Sequence, residues 1–443
     1  MKKLNDAVEK NRRLILDAER YIWQNPETGY KEFKTHKYMQ EKFLALGYEL
    51  TYADGITGFT TEIDTGKDGP TLLILGELDS IICPTHPESD KETGAVHSCG
   101  HNAQCAALLG VAAALKEDGV LDGLCGKIRL CAVPAEELLE IEFRTKLKNK
   151  GVIKYMGGKS EFLSRGLFDG VDLAFMVHTT AGTTFTCRLG SVGCIPKTAI
   201  FKGKAAHAGG SPWNGVNALY AANCGLNACN ALRETFKDAD LMRFHPIITK
   251  GGDMVNAIPE TAVLEAYVRG LSYEAIVGNN KKINRALVGS ALSLGANVEI
   301  IDAPGYAPHI NDKGMMEVAE KAVKEILPDQ PFTFINAFLA GSTDMGDLSC
   351  IMPIVHPYAG GAQGNSHGND YYIVNPELAC VGSAKWQLAM MKILLENNAV
   401  KAKEIIKNFV PRFSKESFLA MQDSLNDCGE RITYADGKAE VRI

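Results

Sequence analysis

Apolar residues spaced three and four apart over 4–24 and 30–47 predict two amphipathic helices, parted by the turn Gln24-Asn25-Pro26-Glu27-Thr28-Gly29. Apolar runs of strand length follow at 71–76 (TLLILG), 127–133 (KIRLCAV), 172–177 (DLAFMV) and 351–355 (IMPIV). They are continuous rather than alternating, as expected of strands covered on both faces by helices. Helical spacing at 102–117, 311–326 and 376–396 completes the pattern of an α/β layered domain.

The rhythm changes between 191 and 303. Strand (196–203), helix (214–234), strands (245–250 and 262–269), helix (275–295) and strand (296–301) follow one another, a β-α-β-β-α-β order typical of a small two-layer domain. The chain therefore reads as a discontinuous large domain, 1–190 and 304–443, interrupted by a compact insert, 191–303. Its last stretch, about 397–443 and rich in Lys and Glu, reads as a peripheral helical tail.

Composition narrows the classes. The 443 residues carry 47 Lys+Arg against 53 Asp+Glu, a net charge of −6, with 46% hydrophobic and 23% charged residues. Mild acidity argues against nucleic acid as the partner, since phosphate binding needs a basic excess. No uninterrupted apolar run approaches the ~18 residues of a membrane span, and charges interrupt the first 23 residues, unlike a signal peptide. Twelve cysteines with no C-x-x-C pair read as buried small hydrophobes in a reducing, cytoplasmic setting.

Chemistry gathers at strand ends, where open α/β sheets bind their ligands. TLLILG runs into Glu77-Leu78-Asp79, KIRLCAV into Pro134-Ala135-Glu136-Glu137, DLAFMV into His178 and IMPIV into His356. Unpaired charges at a core edge are costly, and a metal cluster relieves them. In His97-Ser98-Cys99-Gly100-His101, a spacing of two puts thiol and imidazole on one side of an extended segment. Those donors suit zinc or a similar metal rather than magnesium or calcium. Of the paired glutamates, one can bind metal while its neighbour acts as general base. His207 lies in a loop of the insert. Asn256 and Arg269, also there, are candidates for gripping a substrate carboxylate. Gly360–Gly368 is a flexible loop carrying His367.

Taken in order, Asn25-Pro26-Glu27, Gly76-Glu77-Leu78-Asp79, Cys99-Gly100-His101, Pro134–Glu137, His178, Gly203–His207, Asn256–Glu260, Ser342–Asp347 and His367 resemble the metal-dependent amidohydrolases and peptidases that include aminoacylases, auxin-conjugate hydrolases and aminobenzoyl-glutamate hydrolases. The likeness spans roughly residues 10–395 and is strongest to the branch with a cysteine ligand. Glu77 replaces the His ligand of the peptidase branches. Ile82 stands where many relatives have Pro, and Asn102 and Gln104 replace the Asp and His of the auxin-conjugate branch.

The resemblance implies a two-metal catalytic domain, a central mixed sheet covered by helices, with an inserted lid that also forms a homodimer contact. It implies Cys99 (bridging), His101, Glu137, His178 and His367 as ligands of two divalent ions, zinc or manganese with cobalt also suited. Glu136 would be the general base, Asp79 would orient a ligand, and His207 would reach the partner subunit's site to hold the oxyanion. The expected reaction is hydrolysis of the amide bond in a small N-acyl amino acid or aminobenzoyl-glutamate-like conjugate by a metal-bound hydroxide. The alternatives are a dipeptidase or aminopeptidase needing a free amino terminus, and a non-catalytic binding protein that kept the fold.

Overall fold

A computed structural model describes residues 1–443. The chain forms two compact units: Met1–Gly190, His309–Phe338 and Thr343–Lys415 make one, and Ser191–Pro308, Leu339–Ser342 and Glu416–Ile443 the other.

In the first unit a mixed sheet runs in the order Thr51–Tyr52, Phe59–Asp64, Lys127–Val133, Thr71–Glu77, Leu173–Phe175, Ile354–Val355. Thr71–Glu77 is central and pairs in parallel with both neighbours. All seven of its residues are buried, which is why its apolar run does not alternate. Helix His101–Ala114 is buried along all fourteen residues, as an all-round apolar helix must be. Gly76 lets it approach closely: a Cβ there would meet Leu108 at 3.2 Å.

Several boundaries differ from the periodicity. The first helix breaks at Asn11 into Lys2–Lys10 and Arg12–Trp23, because the Asn11 amide turns back to the Ala7 carbonyl and across to Glu117. The second begins only at Phe33, after Tyr30 adopts φ +62°. The strand expected at 351–355 is confined to Ile354–Val355, since Pro353 has no N–H for the ladder. Glu377–Asn408 is long and apolar enough to cross a membrane, but 83% of its apolar window is buried inside the protein, and it is interrupted by non-helical residues 396–399. It is a core helix.

The second unit has the β-α-β-β-α-β order, with helices Ala218–Ala231 and Tyr273–Ser293. Its antiparallel sheet runs Arg243–Lys250, Thr261–Gly270, Gly193–Lys202, Asn297–Asp302, Asp427–Glu430. Thr261–Gly270 alternates between buried and half-buried residues, as for a sheet with one covered face. The fifth strand corrects the reading of the tail. After helix Lys415–Ser424 the chain pairs with Asn297–Asp302 and ends in the hairpin Ile432–Ala435/Lys438–Val441, so 416–443 is neither wholly helical nor part of the large unit. Arg431 and Ile432 anchor it: both are buried, Arg431 pairs with Asp427 at 2.9 Å, and the Ile432 amide donates to the Asn297 side chain at 3.0 Å.

Candidate metal centre

Glu77 pairs with Val133 at the carboxyl edge of two parallel strands, so the loops carrying Asp79 and Glu136–Glu137 leave the sheet side by side. Gly100, at φ +90°, starts helix His101–Ala114. A Cβ there would lie 2.5 Å from the Tyr371 hydroxyl and 3.2 Å from Thr179, so glycine alone lets Cys99 and His101 reach this edge. His178 opens a strand, His178–Ala181, that pairs in parallel with Tyr358–Gln363. His367, at φ +65°, is tied by its amide to the Ser98 carbonyl at 2.8 Å.

Donor atoms of Cys99, His101 and His178 lie within 4.8 Å of one another, and so do those of Cys99, Glu137 and His367. The Cys99 sulfur belongs to both triads. It is 3.5 Å from His178 Nε2, and His367 Nε2 is 3.0 Å from Glu137 Oε1. All five expected ligands thus converge. Asp79 stands behind them: its carbonyl and Oδ1 lie 2.9 and 3.2 Å from His101 Nδ1, and its Oδ2 accepts the Glu137 amide at 2.8 Å.

These residues fit a cation. With Nδ1 held by Asp79, fully buried His101 turns Nε2 inward, where Glu77 Oε2 stands 3.2 Å away without a hydrogen bond between them, an arrangement suited to a metal-ligating imidazole. Electrostatics agree. Burial pushes the Cys99 thiol up and Glu137 adds to this, but His101 and His178 outweigh both and bring it to about 5, so the thiolate is available at neutral pH. Burial also works against a charged His101, yet Glu77 and Cys99 raise its pKa well above the usual range; the attraction that favours a proton there favours a metal ion. Burial disfavours charged Glu137 too, but His367 holds it at about 2. Thiolate, imidazole and carboxylate together are a transition-metal set.

The neighbouring Glu136 has the opposite environment. Burial, then Glu77, Glu137 and Asp344, raise its pKa well above the carboxylate range, the property wanted of a proton acceptor. Its Oε2 is 4.0 Å from His101 Nε2. The elbow before it is strained, with Ala135 at φ +56°. Buried Glu32 accepts the Ala135 amide at 2.8 Å, while buried Arg144 donates to the Met156 carbonyl at 2.7 Å and to the Glu137 carbonyl. Strain held this way aims the two glutamates in different directions.

Sequence reasoning missed Glu32, Arg144 and Lys159, and the full part of Glu77 and Gln104. Glu77 is wholly buried, forms a further triad with His101 and Glu136, and binds the Lys159 ammonium at 2.5 Å. His356 is buried and stacks on Tyr358 with ring centroids 5.2 Å apart. It belongs to neither Cys99 triad.

In the second unit, His207 is exposed and its Nδ1 accepts the amides of Gly209 and Gly210 at 3.2 and 2.9 Å. The Ala208 amide donates to the Asn256 carbonyl at 2.9 Å, placing these two candidates together. Arg269 is not with them. It lies at the other end of Thr261–Gly270, about 26 Å along the strand at ~3.3 Å per residue, bonded to Ser342 Oγ at 3.2 Å and over the Tyr267 ring. Asn256 and Arg269 of one chain therefore do not form a single carboxylate grip.

The family model described as Peptidase family M20/M25/M40 matches residues 73–391. The chain is 30% identical over 359 residues to the Xaa-Arg dipeptidase of Homo sapiens, covering 76% of this chain and 74% of that protein. It is 24% identical over 408 residues to the IAA-amino acid hydrolase ILR1-like 4 of Arabidopsis thaliana, covering 87% of each. Among solved structures, a dinuclear metal binding peptidase of Bacillus subtilis superposes with a TM-score of 0.64 at 20% identity, covering 87% of this chain and 99% of that one.

Proposed function

The chain belongs to peptidase family M20/M25/M40, a family of metal-dependent peptidases and amidohydrolases, and on that premise we propose that it hydrolyses the amide bond of small N-acyl amino acids or aminobenzoyl-glutamate-like conjugates. The observation that carries this reading is the one thiol shared by two ligand triads, with a buried, high-pKa carboxylate beside it. Cys99, His101, Glu137, His178 and His367 would hold two divalent ions, zinc, manganese or cobalt. Bound there, such ions would supply Lewis-acid charge stabilisation and make water acidic enough to lose a proton near neutral pH. Glu136 accepts the proton of the attacking water and delivers it to the leaving amine. Asp79 keeps the His101 proton on Nδ1 and fixes the backbone that carries Glu137.

A second reading, a dipeptidase requiring a free amino terminus, is favoured by the 30% identity to the Xaa-Arg dipeptidase. One screen separates them: N-acetyl amino acids and aminobenzoyl-glutamate against free dipeptides, including Xaa-Arg, with zinc or manganese added. Turnover of blocked substrates is expected. Turnover of free dipeptides alone would replace the first reading by the second, and a metal-free active enzyme would end both.

For His207 we propose action in a homodimer, on the partner subunit's substrate. The strand Asp427–Glu430 covers one edge of the small sheet, leaving Arg243–Lys250 as its open edge, with Ile247 53% and Ile248 37% exposed. An open edge with exposed β-branched residues is a template for pairing with a second copy. Inactive His207→Ala and inactive Glu136→Ala subunits, mixed, should recover part of the activity, because the heterodimer holds one intact site. Verified heterodimers without recovery would exclude action in trans.

A further inference from the structure

Lys159 has no part in the chemistry above, yet it is wholly buried beside it. Its ammonium donates to Glu77 Oε1 at 2.5 Å and to Asp344, and its amide donates to Asp344 Oδ2 at 3.0 Å. The other Glu77 oxygen, Oε2, accepts from Gln104 Nε2 at 2.9 Å and stands 3.2 Å from His101 Nε2, the nitrogen offered to metal. Glu77 is therefore within reach of that ion and forms a ligand-like triad with His101 and Glu136. Both of its oxygens are nevertheless engaged by protein donors. The short helix carrying Lys159 is seated on the catalytic elbow itself: a Cβ on Gly158 would fall 1.7 Å from the Pro134 carbonyl, so the ammonium and the glutamate pair are positioned together.

We propose that Lys159 is a resident cation that holds Glu77 back from the metal pair, so that Glu77 shapes the field of the centre without becoming a further ligand. A buried ammonium is costly unless fully paired, and here the carboxylates of Glu77 and Asp344 pair it. Releasing Glu77 would add an anionic ligand to the ion on His101, binding the metal more tightly while taking the place of the attacking water. Lys159 is thus a positioning residue. The inference rests on the two-metal reading of the same site.

The test is loss of metal to a chelator, measured beside steady-state kinetics. Lys159→Met is expected to slow metal loss roughly tenfold, the scale of groups lying behind metal ligands, and to lower kcat with little change in KM. Lys159→Arg should keep wild-type release. The neutral pair Glu77→Gln with Lys159→Met should return both quantities toward wild type. A merely structural lysine predicts the reverse, faster metal loss in Lys159→Met and no recovery in the double variant, and that result overturns the proposal. If Lys159→Met does not fold, Glu77→Ala decides: near-wild-type retention supports the proposal, and roughly tenfold faster loss shows Glu77 to be a ligand already and overturns it. Wild-type protein that binds no metal overturns instead the reading on which this rests.

Discussion

Glu136→Gln is expected to lower kcat by about 10³-fold or more, at the upper end of what one general base contributes, while metal content stays at two ions per chain. The expectation follows from its position. Glu136 is outside both triads that share Cys99, whereas Glu137 reaches His367 at 3.0 Å and is fixed through its amide by Asp79. Amide replacement should also stabilise the metal-free protein, raising its melting temperature by a few degrees. Burial and three neighbouring carboxylates work against a charged Glu136, and a neutral isostere removes that penalty. A catalytic base kept at the expense of stability gives this opposite pair of signs. Undiminished turnover would remove Glu136 as the base. Loss of metal together with activity would instead make it a ligand, through its triad with Glu77 and His101.

The centre was legible where chemistry follows directly on a buried strand. The apolar runs ending at Glu77 and Val133 needed helices on both faces, so polar residues just beyond them had to lie at the sheet's carboxyl edge, and the structure places Asp79, Glu136 and Glu137 there. The spacing of Cys99 and His101 was similarly readable, since it puts thiol and imidazole on one side of an extended segment. Lys159, Glu32 and Arg144 were not, because nothing local separates a buried charged side chain from an exposed one. Their burial arises from partners distant in the chain: Lys159 with Asp344, Glu32 with Ala135, Arg144 with Met156. Arg269 shows the converse failure. It shares a domain with Asn256 and has suitable chemistry, but a strand's length separates them, and only the register reveals it. The C-terminal strand Asp427–Glu430 escaped because an edge strand contributes few apolar residues; Ile432, which enters the core, stands alone among polar neighbours.

Removing the shared sulfur should have the broadest effect. In Cys99→Ser the hydroxyl has no anion to offer at neutral pH, so both triads lose their common donor. Metal content is expected to fall below one ion per chain, and activity by at least about 10³-fold, since the chemistry depends on the ions. The metal dependence of the melting temperature should vanish with it, because ligand-linked stabilisation, about 2.7 kcal/mol at 100 times Kd, requires binding to the folded state. A thiol at about 5 between two imidazoles is also the environment of a nucleophilic cysteine, so loss of activity alone does not distinguish the roles. Cys99→Asp does. A carboxylate has two oxygens with which to bridge two oxygen-tolerant cations, so manganese binding and part of the activity should return in this variant. A thiol acting only as a nucleophile would leave metal occupancy unchanged in both variants, whereas a ligand's role makes occupancy fall in Cys99→Ser and return in Cys99→Asp. Full metal occupancy in Cys99→Ser with activity abolished would assign the thiol to covalent catalysis and remove metal binding by the shared sulfur from the mechanism.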